Sequence, residues 1–173
     1  GGAGVGRGGA GCGAVEEEQR GRDGAALSGG AADRVLRECA GGTAPNAGPE
    51  AATASLAGAP AKLAETLQAA ISAYQGGPTP ATFSVEQTAS GVRISARGKA
   101  AHGAKPEAGI NAVTHLARLL HGVRQAVGID TASAQGRAVA FIADRLALET
   151  DGNALGLRHR AADLGTSTVN LWL

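Results

Sequence analysis

The sequence predicts an α+β domain, a ferredoxin-like βαββαβ two-layer sandwich with an insertion before its last strand. Three observations predict it. Two short alternating segments, ATFSVEQ and GVRISARG, meet at a tight turn over 89–91 and read as a β-hairpin. A segment with apolar residues at helical spacing lies on each side of that hairpin. Strand-like stretches stand at both ends of the order.

The first strand is expected in RVLRECAGG, with Val35 on one face, Leu36 on the other, and Gly41 and Gly42 ending it. PEAATASL and PAKLAETLQAAISAY then place Leu56, Leu63, Leu67, Ala70, Ile71 and Tyr74 at helical spacing, with Pro49 and Pro60 at first-turn positions. One helix is expected there, with a break near Gly58 left open. After the breaker Gly76, Gly77, Pro78, the hairpin alternates Phe83 and Val85, then Val92, Ile94 and Ala96, with polar neighbours. Residues 109–127 carry Val113, Leu116, Leu120, Val123 and Val127 on one stripe, a helix whose apolar face needs a sheet to cover. Between 128 and 165 the pattern is weaker. AVAFIADRLALE is open to a second short helix, and a polar stretch with Asp151, Gly152 and Asn153 follows. TSTVNLWL, with Val169, Leu171 and Leu173 alternating, is the expected last strand.

A chain of 173 residues suits one domain with a flank. Residues 1–32 are dominated by Gly and Ala and offer little large apolar surface, so they are expected to be a disordered or out-of-frame segment. Their GxGxxG string at Gly4, Gly6 and Gly9 follows no strand and opens no helix, so composition explains it better than a dinucleotide loop. The folded domain is expected over 33–173.

The balance of 16 basic against 15 acidic residues gives no field that would select nucleic acid or an anionic membrane. Cys12 and Cys39 have neither CxxC spacing nor neighbouring ligands, which supports no disulfide framework or zinc knuckle and points to a reducing, cytoplasmic setting. No run of about 18 apolar residues and no signal-peptide segment occurs, so a soluble, unexported protein is expected. The sequence starts at Gly1 and contains no Met, and is read as a fragment.

The segment richest in chemistry is GKAAHGAKPEAGINA, residues 98–112, between a strand edge and the long helix. It offers a histidine, a lysine and an asparagine on a loop that a rigid scaffold can aim. On the residues alone, His102 competes with a structural reading as an ordinary loop histidine. Pro106 and Gly109 are expected to shape the turn into the helix, and Asn111 to cap its first turn. Solvated or packing roles are expected of His115, His121 and His159.

This segment resembles the lid-domain signature G-x-[SA]-A-H-x-x-x-P-x-x-G-x-N-A of the dinuclear zinc dipeptidases. GGTAPNAGPEAATASL resembles the start of the same lid in PepV-like enzymes, of the form G-G-x-A-x-N-x-x-P. DGNALGLRHRAADLGTSTVNLWL is similar to their D-G-x-x-L-G-[IL] insertion and final T-x-N-L strand. The three ordered matches span residues 35–173.

The resemblance implies a metallopeptidase of the aminoacylase and carboxypeptidase G type, hydrolysing dipeptides or N-acyl amino acids. A catalytic domain would hold two zinc ions, and a smaller ferredoxin-like lid, often a dimerisation domain, would close over it. It implies that His102 stabilises the oxyanion of the tetrahedral intermediate. It implies also that Asn46 holds the substrate, because an amide donates to a terminal carboxylate without adding charge. The partners implied are a small peptide substrate and the catalytic domain of the same polypeptide.

The catalytic domain of that family supplies a histidine two residues before an aspartate, a bridging aspartate, a Glu-Glu pair and a final histidine. None of the four histidines here has Asp two residues later. Glu16, Glu17 and Glu18 lie in the Gly-rich flank without a preceding strand and read as a solvated charge run. No metal ligand is therefore assigned to this chain, and alone it is expected to be inactive. The alternative is a free-standing ferredoxin-like module that binds a small molecule or self-associates, without enzymatic activity.

Overall fold

The computed structural model describes residues 36–41, 47–146, 148–163, 165–169 and 171. Residues 1–32, expected to be disordered or out of frame, lie outside the described residues, as does the site residue Asn46. The architecture is α+β, compatible with the ferredoxin-like sandwich, with helices packed on a four-stranded antiparallel sheet. Its strands are β1 (Leu36–Gly41), β2 (Ala51–Ala57), β3 (Thr82–Thr88) and β4 (Gly91–Arg97), in the spatial order β1-β2-β4-β3. Its main helices are α1 (Pro60–Ser72) and α2 (Ala112–Val127).

The hairpin forms as the alternation requires, with Val85 opposite Ile94 and Thr88 opposite Gly91 across a two-residue turn. Period-2 burial is cleanest in β4, where Val92, Ile94 and Ala96 are buried and Arg93 and Arg97 exposed. Residues 51–57 correct the expectation of a helix: they form β2, a central strand paired with both β1 and β4. Ala52, Ala54 and Leu56 point to the core while Thr53 and Ser55 lie on the other face. The helical spacing was misleading because small residues fill this strand and alanine favours helices when nothing else decides. Two pairing partners override that preference. The helix begins only at Pro60, which occupies its first turn.

One face of the sheet is covered. Leu63 and Leu67 of α1 and Val113, Leu116, Leu120 and Val127 of α2 pack with the inward residues of β2 and β4. Full burial of each large aliphatic side chain contributes about 1.5–3 kcal/mol. The expected stripe on the long helix is realised, with Val123 half-buried at its margin. A second short helix does follow, α3 (Ala134–Phe141), continued by a π-helical turn over Ile142–Leu146. It starts earlier than the apolar pattern suggests because the Ser133 hydroxyl caps it, accepting the Gly136 N–H at 3.0 Å.

The last strand is the second correction. The expected strand lies partly outside the described residues, and among the described residues of TSTVNLWL and its approach only Gly165–Thr166 pairs, as β6 against β5 (Arg160–Ala161), in a separate two-stranded ribbon. Among the described residues no part of this tail joins the main sheet. The place beside β2 is taken by β1, which pairs with it antiparallel. The tail instead runs over the 98–111 loop, where the Leu171 carbonyl accepts a hydrogen bond from Asn111 Nδ2 at 2.7 Å. Among the described residues no helix is long and apolar enough to cross a membrane.

Candidate functional site

The loop between β4 and α2 is held by its backbone. Lys99 and Ile110 exchange two hydrogen bonds at 2.9 and 2.8 Å, closing the loop at its base. This closure explains two glycines of the motif by close approach. A Cβ on Gly98 would lie 2.0 Å from the Ile110 carbonyl oxygen, and one on Gly109 would lie 2.7 Å from the Lys99 oxygen. Above the base, the Gly48 N–H donates to the Ala101 carbonyl at 2.9 Å, and Ala47 stands opposite His102 as an antiparallel bridge. Pro106 is buried in a short 3₁₀ turn, so it does shape the entry to α2.

Asn111 caps α2. Its Oδ1 accepts the N–H groups of Val113 at 3.0 Å and Thr114 at 3.2 Å, while its Nδ2 ties down the tail. The expectation of a capping role agrees with this geometry.

His102 sits on the exposed side of the loop. Its Nδ1 accepts a hydrogen bond from the Ala104 N–H at 3.1 Å. A backbone N–H can only donate, so Nδ1 must present its lone pair and the neutral ring carries its hydrogen on Nε2. Nε2 is then the ring nitrogen that can donate. Asn46 immediately precedes Ala47, the bridge partner of His102.

The other histidines are placed differently. His115 is buried on α2, and its Nδ1 lies 2.8 Å from the Tyr74 hydroxyl. Burial lowers the His115 pKa, and the positive charge of Arg118 lowers it further. Burial also pushes Tyr74 up to about 12, against the opposing pull of Arg118. Tyr74 stacks edge-on against Phe83 with ring centres 5.1 Å apart. His121 Nε2 lies 3.6 Å from Asp144 Oδ1 in a part-exposed pair. His159 is exposed in the ribbon, with its backbone bonded to Ser167.

A cavity of about 290 Å³ opens on the inner side of the same loop, where Lys99, Ile110 and Asn111 face Arg145, Glu149 and Leu155 of the insertion. Thr114 and His115 also line it, and His102 does not. The sequence pattern did not reveal this cavity, because its lining runs from Gly48 to Leu171 and the insertion has weak periodicity. The available signal was that 112–120 holds a single charged residue, Arg118, which marks a helix buried on more than one side.

Among the described residues no group of three or more His, Cys, Asp or Glu is placed to hold a metal ion. A zinc centre does not fit the described residues of this chain. What they present is a donor edge at His102 and a mixed-charge cavity behind it.

Comparison with curated proteins finds no match to the chain. A family model described as the peptidase dimerisation domain, M20_dimer, matches residues 86–171, from within β3 through the His102 loop and the cavity to the tail. Over those residues the chain is similar to a peptidase dimerisation domain.

Proposed function

We propose that the chain is the substrate-gripping lid of a PepV-like zinc dipeptidase, acting on dipeptides or N-acyl amino acids together with a catalytic domain. Residues 33–173 form the lid in this reading, and 1–32 stand outside it. The dinuclear zinc belongs to the catalytic domain, since the described residues here offer no ligand set. The dimerisation-domain match supports a role in self-association.

The observation that carries the reading is the hydrogen bond from Ala104 to His102 Nδ1. It turns Nδ1 of an exposed imidazole to the Ala104 N–H, which leaves Nε2 as the ring nitrogen able to donate. A donor pre-set for charge that develops only in the transition state accelerates acyl transfer without strengthening ground-state binding. Asn46, next to the strand bridge that supports His102, would hold the terminal carboxylate of the substrate by amide donation.

The test uses the enzyme assembled with its catalytic segments. His102→Ala should lower kcat by about 100-fold or more while KM changes little and zinc content stays unchanged. Near-normal turnover of a folded, zinc-loaded His102→Ala enzyme would overturn the oxyanion role. The 173-residue chain by itself should hydrolyse no dipeptide and retain no stoichiometric zinc after dialysis.

A further inference from the structure

We infer that the cavity behind the His102 loop is a binding site for a small zwitterion with an aliphatic side chain, a free α-amino acid of about leucine's size. Its volume of about 290 Å³ stands at the lower end of ligand pockets, which run from about 300 to 1,000 Å³. That is room for a small metabolite and not for a peptide.

The lining sorts by chemistry. The apolar wall is aliphatic, built from Ile110, Leu146, Leu148, Leu155, Val169 and Leu171. Around it stand two cations, Lys99 and Arg145, and two carboxylates, Glu107 and Glu149. The ion pairs among the described residues are His121 with Asp144 and Arg158 with Asp151, so none of these four charges forms a salt bridge with another described residue. Glu149 is partly engaged, accepting the Ala154 N–H at 2.9 Å.

Charges of both signs around one apolar concavity match a ligand that carries both signs on a single carbon. A simple carboxylic acid would leave the carboxylates facing it unanswered, and a simple amine would leave the cations so. The backbone at the start of α2 is not available for an anion, because Asn111 Oδ1 takes two of its N–H groups and the Pro49 carbonyl takes that of Ala112. Recognition therefore falls to the side chains. Thr114 and His115 also line the cavity and are buried, and burial lowers the His115 pKa, so this part of the lining disfavours a positive charge.

The experiment is isothermal titration calorimetry on the whole chain with three probes: L-leucine, 4-methylpentanoate, which lacks the ammonium, and isopentylamine, which lacks the carboxylate. Saturable binding of L-leucine is expected, with both one-charge probes several-fold weaker. Arg145→Gln and Glu107→Gln should each weaken L-leucine by up to about fivefold, the range for a solvent-exposed charge contact. Both residues are exposed, so these changes leave the core intact, and Glu65→Gln on α1 serves as the unaffected control. No saturation by about 10 mM L-leucine overturns the proposal, as does equal binding of the three probes or unchanged affinity in both variants. None of these readouts depends on peptidase activity, so failure here leaves the His102 reading standing.

Discussion

The Tyr74 hydroxyl lies 2.8 Å from His115 Nδ1, joining the end of α1 to the buried side of α2 across 41 positions of sequence. Each group alone would be a poor choice for that place, and each satisfies the other. Tyr74→Phe removes the partner and leaves a buried ring nitrogen unsatisfied. The expected loss of stability is about 1–3 kcal/mol, read from the midpoint of denaturant unfolding.

The same pair gives a pH dependence with a definite sign. His115 has its pKa lowered from 6.5 on folding, so the unfolded chain binds the proton more readily. The contribution of neutral His115 is complete above pH 6.5 and is lost as pH falls through the depressed value. Tyr74 is the reverse case, raised from 10.0 to about 12. Its contribution is present below pH 10.0 and is lost as pH rises toward about 12. Unfolding midpoints measured over pH 5–11 should therefore fall less steeply at the alkaline end in Tyr74→Phe than in the parent. Identical alkaline limbs would contradict the assignment.

The strand at 51–57 makes a second prediction, because a strand and a helix assign its residues to faces differently. Ala54 is fully buried between β1 and β4, whereas Ser55, its neighbour, faces away from the helices. Ala54→Leu should cost about 1–3 kcal/mol by overpacking. Ser55→Leu should stay within about 0.5 kcal/mol. Equal effects at both positions would restore the helical reading.

How far the sequence could be read follows from the same residues. The hairpin and α2 were legible because Val85, Val92, Ile94, Leu116 and Leu120 are large enough to write their period into the sequence. β2 was not, since Ala52 and Ala54 are small and only Leu56 stands out, in phase with Leu63 one heptad later. The tail alternates like a strand, yet whether such a segment joins a sheet depends on a free edge, and β1 already occupies the edge beside β2. Asn111 was legible as a cap from its place before the helix. The orientation of the His102 ring was not, because it depends on the backbone N–H of Ala104. The cavity needs the insertion folded against α2, a long-range event that no local period records.

Asn111 separates two tasks that one substitution can split. Asn111→Ala removes both the cap on Val113 and Thr114 and the donor to Leu171, and should cost about 0.5–2 kcal/mol through the helix end alone. Asn111→Asp keeps an oxygen acceptor, with a charge that suits a helix N-terminus, but cannot donate to the Leu171 carbonyl. Global stability should then be largely retained while the tail loosens. Hydrogen exchange at Val169, whose N–H bonds the Thr150 carbonyl at 2.8 Å, reads that loosening. Unchanged exchange in Asn111→Asp would mean that the tail is held by other contacts.

The last prediction sets Asn46 against His102 in the assembled enzyme. If Asn46 grips the substrate's terminal carboxylate in ground state and transition state alike, Asn46→Ala should raise KM and leave kcat close to the parent value. Loss of one hydrogen bond to a charged group corresponds to about 1.5–3 kcal/mol, or roughly a 10- to 150-fold rise in KM. His102→Ala should do the converse, lowering kcat with little change in KM, because the oxyanion exists only on the way to product. A substrate amide lacking the terminal carboxylate provides the internal control: it should bind poorly to the parent enzyme and lose little more in Asn46→Ala, since the contact is already absent. His102→Ala should still slow that substrate by the same factor. If Asn46→Ala instead impairs the amide as much as the acid, the residue acts through the loop that bridges Ala47 to His102, and its role is positioning.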